Sequence, residues 1–454
     1  MTTSAIVLAA GAGTRMKSAT PKVAFNLLGK PLVRWVVDAA HSAGVEQVVC
    51  VLGNGIDTVA PLVADTVVVE QTELLGTADA VARCSEQFQG ISGSVLVLSG
   101  DCPLIRPETI AELVRLREEH DAGVVVLTMQ AADPSGYGRI VRDDGGQVAR
   151  IVEQKDCSEA EAAITECNAG FYCFDAELLF ESLGKVDSNN AQGEFYLTDC
   201  IGIAREQGRA ALACLADDAG ECQGINTRVQ LAQATAAMRD RINTAHMLAG
   251  VSMLDPTSVW IDATVEIEPD VEILPQTMLM GATSIGTGSV VGPNTRLTDT
   301  VVGRNCTIDE VVAIQARIDD DCSCGPRAYL RPETHLMQGA KAGTHVEIKK
   351  STIGPGSKVP HLSYIGDTTM GSGVNIGAGS ITCNYDGTHK WPTTIGNDSF
   401  VGSDTMMVAP VNIGSNVLVG AGSVITQDVP DNALALGRAR QVVKPDRGTK
   451  ADKA

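Results

Sequence analysis

A ladder of aliphatic residues at a spacing of six runs through the second half of the chain and narrows the folds open to it. Its first uninterrupted stretch consists of Ile261, Ile267, Ile273, Leu279, Ile285, Val291 and Leu297. The residue two positions before each of these is small or β-branched, and glycine follows many rungs of the ladder. Neither a helix nor an ordinary strand has this period. The period predicts a parallel β-helix, in which each repeat supplies one short strand and one turn.

The ladder slips after this stretch and resumes twice. The later stretches are Leu330, Leu336, Ala342 and Ile348, and then Ile395, Val401, Met407, Ile413, Val419 and Ile425. A narrow core that takes one aliphatic side chain per face has little room for rings, which fits an aromatic content of 4%. Hexapeptide repeats of this kind resemble the left-handed β-helix of sugar and amino-acid acyltransferases. The resemblance implies three strands and roughly 18 residues in each coil.

The first half of the chain alternates short apolar runs with amphipathic segments. The apolar runs are residues 5–8, 48–51, 67–69 and 95–98. Residues 31–43 predict a helix that carries Leu32, Val33, Val36, Val37 and Ala40 on one face. Short, continuously apolar strands between helices indicate a parallel sheet covered on both faces. We therefore expect a Rossmann-like α/β domain here.

The length of 454 residues predicts two or three domains at about 150 residues per domain. We expect the α/β domain to occupy residues 1–226 and the β-helix, with a C-terminal tail, to occupy residues 251–454. Residues 227–250 are rich in alanine, glutamine and arginine and predict a linker helix.

The charge balance excludes several classes of partner. A formal net charge of −20 repels nucleic-acid backbones and anionic membrane surfaces. No apolar stretch approaches the roughly 18 residues of a membrane span, and the N-terminus lacks the basic region of a signal peptide. The 13 cysteines are scattered, and Cys322 and Cys324 have the wrong spacing for a usual zinc pair. We therefore expect a cytoplasmic protein with reduced thiols, no nucleic-acid partner and no membrane insertion.

A glycine loop follows the first predicted strand and ends in a cation. Residues 8–16 read Leu-Ala-Ala-Gly-Ala-Gly-Thr-Arg-Met, and Lys22 lies shortly after them. Glycine lets backbone N–H groups turn toward phosphate oxygens. Met16 stands where a dinucleotide loop needs its third glycine, and a Walker loop would end in Gly-Lys-Ser/Thr. The loop alone fits either a phosphate cradle or a tight turn.

This loop and later segments resemble the sugar-nucleotide pyrophosphorylases, in the order that family has them. The matching segments are Gln71 with Leu-Gly-Thr-Ala at 75–78, Ser-Gly-Asp-Cys-Pro-Leu at 99–104, Gly-Tyr-Gly-Arg-Ile at 136–140, Val-Glu-Gln-Lys at 152–155, Asn-Ala-Gly at 168–170 and Gly-Ile-Asn at 224–226. Cys102 departs from the usual residue within its motif. The resemblance implies that Arg15 and Lys22 neutralise the charge of a triphosphate during phosphoryl transfer.

Asp101 directly follows an apolar strand, where open α/β sheets bind their ligands. Magnesium favours one or two protein oxygens and takes the rest from phosphate and water. Asp101 with Asn226 fits that description, so we expect a Mg²⁺ site there. The alternative for Asp101 is a helix cap before Pro103.

A second group of candidate residues lies in the β-helix. Arg331 and Lys349 are 18 residues apart in an unbroken stretch of the ladder, so they would stack on adjacent coils. Two stacked cations repel each other unless an anion sits between them, which favours a phosphate clamp over two solvated side chains. Ser403 and Ala421 have the same spacing and would line one groove.

His361 lies in an interruption of the ladder, Pro-His-Leu-Ser-Tyr at 360–364, and the pKa of histidine suits proton transfer near neutral pH. The segment from Cys383 to Thr394 extrudes from the repeats, and insertions in solenoids tend to carry binding function. Pro360 departs from the family that these residues resemble, in which a glycine or alanine is usual at this position.

With these residues the resemblance extends to the bacterial family of bifunctional N-acetylglucosamine-1-phosphate uridyltransferases and glucosamine-1-phosphate acetyltransferases. It implies that His361 is a general base. It implies uridine contacts at Leu8, Ala9, Ala10, Gly11, Lys22, Gln71, Gly76 and Thr77, sugar contacts at Gly138, Glu153 and Asn168, and a nucleotide contact at Asn226. It implies amino-sugar phosphate contacts at Arg331, Lys349, Tyr364, Asn375 and Lys390. It implies acetyl-CoA contacts at Ala378, Asn384, Tyr385, Ser403, Ala421 and Arg438.

The resemblance implies two successive reactions in UDP-N-acetylglucosamine synthesis for the cell envelope. Acetyl-CoA acetylates glucosamine 1-phosphate in the β-helix, and UTP then reacts with N-acetylglucosamine 1-phosphate in the first domain, with release of pyrophosphate. It further implies a homotrimer.

Two alternatives remain open on the sequence. One is a monofunctional sugar-nucleotide pyrophosphorylase whose β-helix serves assembly or regulation. His361, the stacked cations and the extruded segment argue against it. The other is a non-enzymatic β-helix binding module joined to an inactive nucleotide-fold domain. The joint presence of Asp101 and Asn226 with both cations argues against that alternative.

Overall fold

The computed structural model describes residues 2–445. The chain divides into two compact units between Met238 and Arg239. Each unit is built around its own β-structure, a nine-stranded sheet in the first and three stacked sheets in the second.

The first unit contains a twisted central sheet with two strand directions. Its strands are β1 (Thr2–Ala9), β2 (Gln47–Leu52), β3 (Val67–Glu70), β4 (Gly93–Ser99), β5 (Val124–Gln130), β6 (Arg139–Arg142), β7 (Val148–Val152), β8 (Glu166–Asp175) and β9 (Ala211–Leu215). Their order is β9-β5-β8-β4-β1-β2-β3, with the β6/β7 hairpin beside β8. A two-stranded hairpin of Asn26–Leu27 and Lys30–Pro31 stands apart from this sheet.

The sheet is mixed, whereas the apolar runs predicted a parallel one. Strand β8 runs antiparallel to both β4 and β5, while β1 is parallel to β2 and β4. Both faces are covered, as predicted. Ala5 and Val7 belong to one buried cluster, and Ile6 between them belongs to another on the opposite side of β1. A strand that is buried on both faces has the same continuously apolar sequence whether it runs parallel or antiparallel to its neighbours. Apolar runs therefore do not indicate strand direction.

Helices cover the sheet of the first unit and continue to the start of the second. They are α1 (Leu32–Ser42), α2 (Ile56–Val59), α3 (Thr77–Ala82), α4 (Pro107–Glu119), α5 (Glu159–Ala162), α6 (Ala176–Leu183), α7 (Asp199–Glu206) and α8 (Arg228–Leu248). Short 3₁₀ turns are Thr14–Met16, Lys22–Ala24, Ala60–Val63, Ser85–Phe88, Ala219–Cys222 and Pro256–Ser258. The predicted apolar face of α1 is buried, which confirms the periodicity. Among residues 2–445, no helix has the length and apolar character needed to cross a membrane.

The second unit is a parallel β-helix with three faces, as the ladder predicted. The first face consists of Ser252–Met253, Glu272–Ile273, Val290–Val291, Thr307–Ile308, Ser323–Cys324, Lys341–Thr344, Lys358–His361, Asn375–Ile376, Phe400–Val401, Leu418–Val419 and Leu434–Ala435. The second consists of Trp260–Ile261, Met278–Met280, Arg296–Thr298, Val312–Ile314, Tyr329–Leu330, Glu347–Lys349, Tyr364–Gly366, Ile381–Cys383, Met406–Val408 and Val424–Ile425. The third consists of Glu266–Ile267, Ser284–Ile285, Val301–Val302, Arg317–Ile318, His335–Leu336, Thr352–Ile353, Thr368–Met370, Thr393–Ile395 and Val411–Ile413.

The slips in the ladder are shortened turns. Ile261 pairs with Leu279, 18 residues later, whereas Leu297 pairs with Ala313, 16 residues later. Shorter turns shift the sequence period but leave the strands stacked. One coil is instead lengthened, because Met370 pairs with Ile395, 25 residues later. That coil contains the extruded segment.

The small residues two positions before the ladder have a defined role at the coil corners. The Ser357 hydroxyl donates to the Gly371 carbonyl at 2.7 Å and accepts from the Val374 backbone N–H at 2.9 Å. Ser289 makes the equivalent bonds to Gly303 and Cys306. These hydroxyls satisfy buried backbone groups that the turns leave unpaired.

Candidate active sites

The glycine loop lies between β1 and the short turn Thr14–Met16. A Cβ on Gly11 would meet no atom within 4 Å, so its backbone faces open space. Gly13 has a φ of +60°, and a Cβ there would lie 2.6 Å from the Lys22 Cβ. Glycine at position 13 therefore allows the loop to close against the backbone that carries Lys22.

Four polar side chains from four separate segments converge beside this loop. Lys22 Nζ forms an ion pair with Asp101 Oδ2 and also donates to Asn226 Oδ1 at 2.9 Å. Arg15 Nη2 donates to the same Asn226 oxygen at 2.9 Å. The fold thus brings together the two cations expected at the triphosphate and the two oxygen ligands expected at Mg²⁺.

These oxygens suit a magnesium ion. Asp101 Oδ2 and Asn226 Oδ1 both face a single cationic group, the Lys22 ammonium, which stands where a cation is favourable. No group of three or more His, Cys, Asp or Glu residues within 2–445 is arranged to hold a metal. A pair of protein oxygens is the set that Mg²⁺ takes when phosphates and water complete its shell.

Cys102 supports this arrangement, although it departs from the family motif. Its thiol is buried, and its sulfur lies 3.5 Å from Asp101 Oδ1 and 3.8 Å from the Cys222 carbonyl oxygen, so its one hydrogen can be donated to either acceptor. Burial raises the pKa of the Cys102 thiol well above its ordinary value. The thiol therefore stays neutral and leaves Asp101 Oδ2 turned toward the cations.

A cavity of about 250 Å³ opens next to the glycine loop. Its walls include six of the eight predicted uridine contacts, Leu8, Ala10, Gly11, Gln71, Gly76 and Thr77. Ala9 points away from it, since its side chain packs in the core near Gly100. Lys22 belongs to the neighbouring polar group instead.

The predicted sugar contacts also lie together. A Cβ on Gly138 would stand 3.4 Å from Glu153 Oε1 and 3.5 Å from the Asn168 Cβ. Asn168 Nδ2 donates to the Tyr172 hydroxyl at 2.7 Å. Burial raises the pKa of the Glu153 carboxyl, and the nearby carboxylates of Asp156 and Asp199 add to the effect.

In the β-helix, the stacking predicted for Arg331 and Lys349 is present. Leu330 pairs with Ile348, which sets the two cations on adjacent coils of the second face. Lys390 lies beside Lys349, and the pKa of Lys390 is lowered by its contact with that ammonium and by the charge of Arg331. Glu347 pairs with Arg331 at 2.8 Å and Asp367 pairs with Lys349 at 3.5 Å, so two carboxylates offset part of the three positive charges. An anionic ligand would offset the remaining charge.

Tyr364 and Asn384 enclose the space above Lys349. Lys349 pairs in register with Gly366, where a Cβ would lie within 2.6 Å of both the Tyr364 hydroxyl and the Asn384 amide nitrogen. Asp367 holds the group together, because it accepts from Asn384 Nδ2 at 2.5 Å and pairs with Lys349 Nζ at 3.5 Å. Asn384, predicted as an acetyl-CoA contact, therefore stands among the amino-sugar phosphate residues.

His361 is exposed at the end of a first-face strand, directly before a coil corner. It pairs with Thr344 on the coil below. The next two coils continue this stack. Lys358 pairs with Asn375, and Ile376 pairs with Val401. The same registers place Ala378 over His361 and Ser403 over Ala378, and we call this stack of residues the His361 column. Pro360 lies within the extended strand Lys358–His361 and does not interrupt it.

The remaining predicted acetyl-CoA residues lie along this column and the extruded segment. Gly422 donates its backbone N–H to the Ser403 carbonyl at 2.8 Å, so Ala421 stacks on Ser403 as its spacing predicted. The Arg438 Cδ would lie 3.9 Å from a Cβ on Gly422. Tyr385 is 60% exposed, and its backbone forms an isolated antiparallel β-bridge with Lys390 within the extruded segment.

Several residues at these sites were not predicted. Glu194, Val51 and Leu74 also line the 250 Å³ cavity, and Asp367 joins the cations of the β-helix. Asp367 carried a usable signal, since it stands one coil after Lys349. Glu194 lies in a segment without a recognisable motif, so only the fold reveals its position.

Comparison with known proteins defines the class first. Residues 5–185 match the family of MobA-like NTP transferase domains, and residues 392–427 match the hexapeptide repeat of succinyl-transferase. The fold and its two sites therefore define a nucleotidyltransferase followed by a hexapeptide-repeat transferase, and the predicted left-handed β-helix class is confirmed.

Full-length relatives define the family. A bifunctional protein GlmU of Brevibacillus brevis is 48% identical over 98% of this chain and 97% of its own length. A GlmU of Heliobacterium modesticaldum is 48% identical over 97% and 96%, and one of Streptomyces coelicolor is 48% identical over 96% and 92%. The chain belongs to the bifunctional GlmU family. This confirms the predicted bifunctional enzyme of UDP-N-acetylglucosamine synthesis, with uridyltransferase and acetyltransferase activities, over the monofunctional alternative.

Proposed function

We propose that the two activities divide along the chain as the sequence suggested. Residues 1–226 carry uridylyl transfer, residues 227–250 form the connecting helix, and residues 251–454 carry acetyl transfer. The separation of the two polar groups, one in each compact unit, supports this division.

In uridylyl transfer, a phosphate oxygen of N-acetylglucosamine 1-phosphate attacks the α-phosphorus of UTP, and pyrophosphate leaves. The cavity beside Gly11 takes the uridine, and Glu153 and Asn168 bind the sugar. Arg15 and Lys22 offset the charge that develops at phosphorus. Mg²⁺ on Asp101 and Asn226, when bound, supplies further positive charge to the triphosphate.

In acetyl transfer, the amine of glucosamine 1-phosphate attacks the thioester carbonyl of acetyl-CoA. His361 takes the proton from nitrogen, the C–S bond breaks, and the departing CoA thiolate takes that proton from His361 and leaves as its thiol. Arg331, Lys349 and Lys390 bind the sugar phosphate, with Tyr364 and Asn375 as further contacts. Acetyl-CoA lies along Ala378, Ser403 and Ala421, with Asn384, Tyr385 and Arg438 around it.

The observation that carries this proposal is the grouping of Lys349, Lys390 and Arg331, whose three positive charges the carboxylates of Asp367 and Glu347 offset only in part. A merely structural β-helix does not need this excess of positive charge. We expect acetyl-CoA to release free thiol only when glucosamine 1-phosphate is present. We expect pyrophosphate release from UTP to require both N-acetylglucosamine 1-phosphate and Mg²⁺. Absence of thiol release would contradict the assignment of acetyl transfer to the second site. Pyrophosphate release without the sugar phosphate or without the metal would contradict the first site.

We also propose that the protein is a cytoplasmic homotrimer. Exposed Phe400, Leu418 and Leu434 form a continuous apolar column on the first face, which supports self-association. All 13 cysteines are free, which fits a reducing compartment. Light scattering should give a mass three times that of the 47.4 kDa chain. A monomer or dimer mass would contradict the trimer.

A further inference from the structure

Gln71 is a buried side chain at the wall of the uridine cavity, with only 4% of its surface exposed. Its amide nitrogen Nε2 donates to the Gly76 carbonyl at 3.2 Å and to Asp79 Oδ2 at 2.8 Å. A primary amide nitrogen carries two hydrogens, and these two acceptors use both. The amide oxygen is then the group that Gln71 has left for a ligand.

Asp79 is the charged one of the two acceptors that favour this orientation, and it makes the shorter hydrogen bond. An ionised carboxylate accepts hydrogen bonds and cannot donate them, so it would repel the amide oxygen if the Gln71 amide turned over. Arg83 Nε donates to the same Asp79 oxygen at 2.9 Å, across one turn of α3. The Asp79 side chain is 19% exposed, so water does not fully screen it from Gln71.

We propose that Asp79 is a positioning residue for base selection: it fixes the Gln71 amide with its oxygen toward the cavity, so that the site favours a pyrimidine with an N–H at that edge. The inference rests on the proposed uridine site and deepens it. Asp79 does not touch the nucleotide and acts only through Gln71.

The chemistry of the bases makes this orientation selective. Uracil carries an N–H at ring position 3, whereas the same nitrogen of cytosine is an acceptor. An oxygen facing that nitrogen pairs with uracil and repels cytosine. If the amide turned over, its N–H group would instead meet the cytosine nitrogen. A site built to hydrogen-bond one partner rejects an analogue that leaves the bond unmade.

The test compares UTP and CTP binding to the full-length protein by calorimetry. Asp79→Asn keeps the size of the side chain but removes the carboxylate, so the neutral Gly76 carbonyl remains as the main group that opposes rotation of the Gln71 amide. We expect the ratio of the CTP Kd to the UTP Kd to fall by about tenfold. Arg83→Gln is the matched control, because it leaves the Asp79 carboxylate on Gln71. We expect it to change the ratio by less than about threefold.

Thermal unfolding of the same preparations checks that the first unit of each variant is folded. If Asp79→Asn does not fold, Asp79→Ser removes the carboxylate with a smaller side chain and is expected to lower the ratio in the same way. An unchanged ratio in a folded Asp79 variant would overturn the inference. So would an equal fall in Arg83→Gln, since it would mean a general loosening of α3. Failure of the wild-type protein to bind UTP would instead count against the proposed uridine site.

Discussion

Replacing His361 by alanine is expected to lower acetyl transfer by about 10²- to 10⁴-fold and to leave uridylyl transfer at the wild-type rate. The amine of the sugar must lose a proton as it attacks the thioester, and alanine offers no group to take it. His361 is exposed at the end of its strand, so the substitution removes little packing. The loss should therefore appear in kcat, with little change in the KM for glucosamine 1-phosphate.

A neighbouring histidine provides the control for this prediction. His345 is exposed at the same corner one coil earlier and has a φ of 54°. His345→Asn suits that left-handed conformation, since asparagine tolerates it. Thiol release from acetyl-CoA should be normal in His345→Asn and nearly absent in His361→Ala. Near-normal thiol release in His361→Ala would show that His361 is not the base.

The β-helix was predictable from the sequence because its core repeats. Each coil places one aliphatic side chain on each face, so Ile261 and Leu279 report the stack without any knowledge of distant contacts. The slip after Leu297 was visible but not interpretable, because a shortened turn and a break in the fold look alike in sequence. Only the pairing of Leu297 with Ala313 distinguishes the two.

The α/β unit was less predictable, and the direction of strand β8 marks the limit. Tyr172 pairs with Val97 and with Val126 in antiparallel register, so β8 is inserted between β4 and β5, two strands that follow one another along the chain and precede it. Nothing in an apolar run records that insertion. Helix α1 was predictable for the opposite reason, since its apolar face is local and follows the helical period.

The site residues also divide into those with a periodic sequence signal and those that depend on long-range contacts. The stacking of Arg331 on Lys349 came from the spacing of one coil. The approach of Lys22 to Asn226, far apart in sequence, came only from the family resemblance. Asp79 has no motif and no ligand contact, and its role depends on the orientation of one amide. Contacts that act through another side chain leave no periodic signal for sequence analysis to detect.

The prediction for the first site concerns Asp101. Asp101→Asn is expected to lower uridylyl transfer by about 10²- to 10³-fold and to leave acetyl transfer unchanged. Asparagine keeps the shape and can still accept from the Cys102 thiol, so the local fold should survive. The change removes one negative charge from a place where Lys22 and a divalent cation both need it. With Lys22 no longer paired to a carboxylate, the cation also faces uncompensated repulsion.

Magnesium dependence separates loss of a metal ligand from simple loss of structure. Pyrophosphate release should require a higher Mg²⁺ concentration for half-maximal rate in Asp101→Asn than in the wild-type protein, because one of two protein oxygens has lost its charge. Asp144→Asn, in an exposed turn, is the matched control and should keep the wild-type Mg²⁺ dependence. If Asp101→Asn lost activity but kept that dependence, Asp101 would orient Lys22 and not hold the metal. If it kept both, the assignment of the first site to this cluster would be wrong.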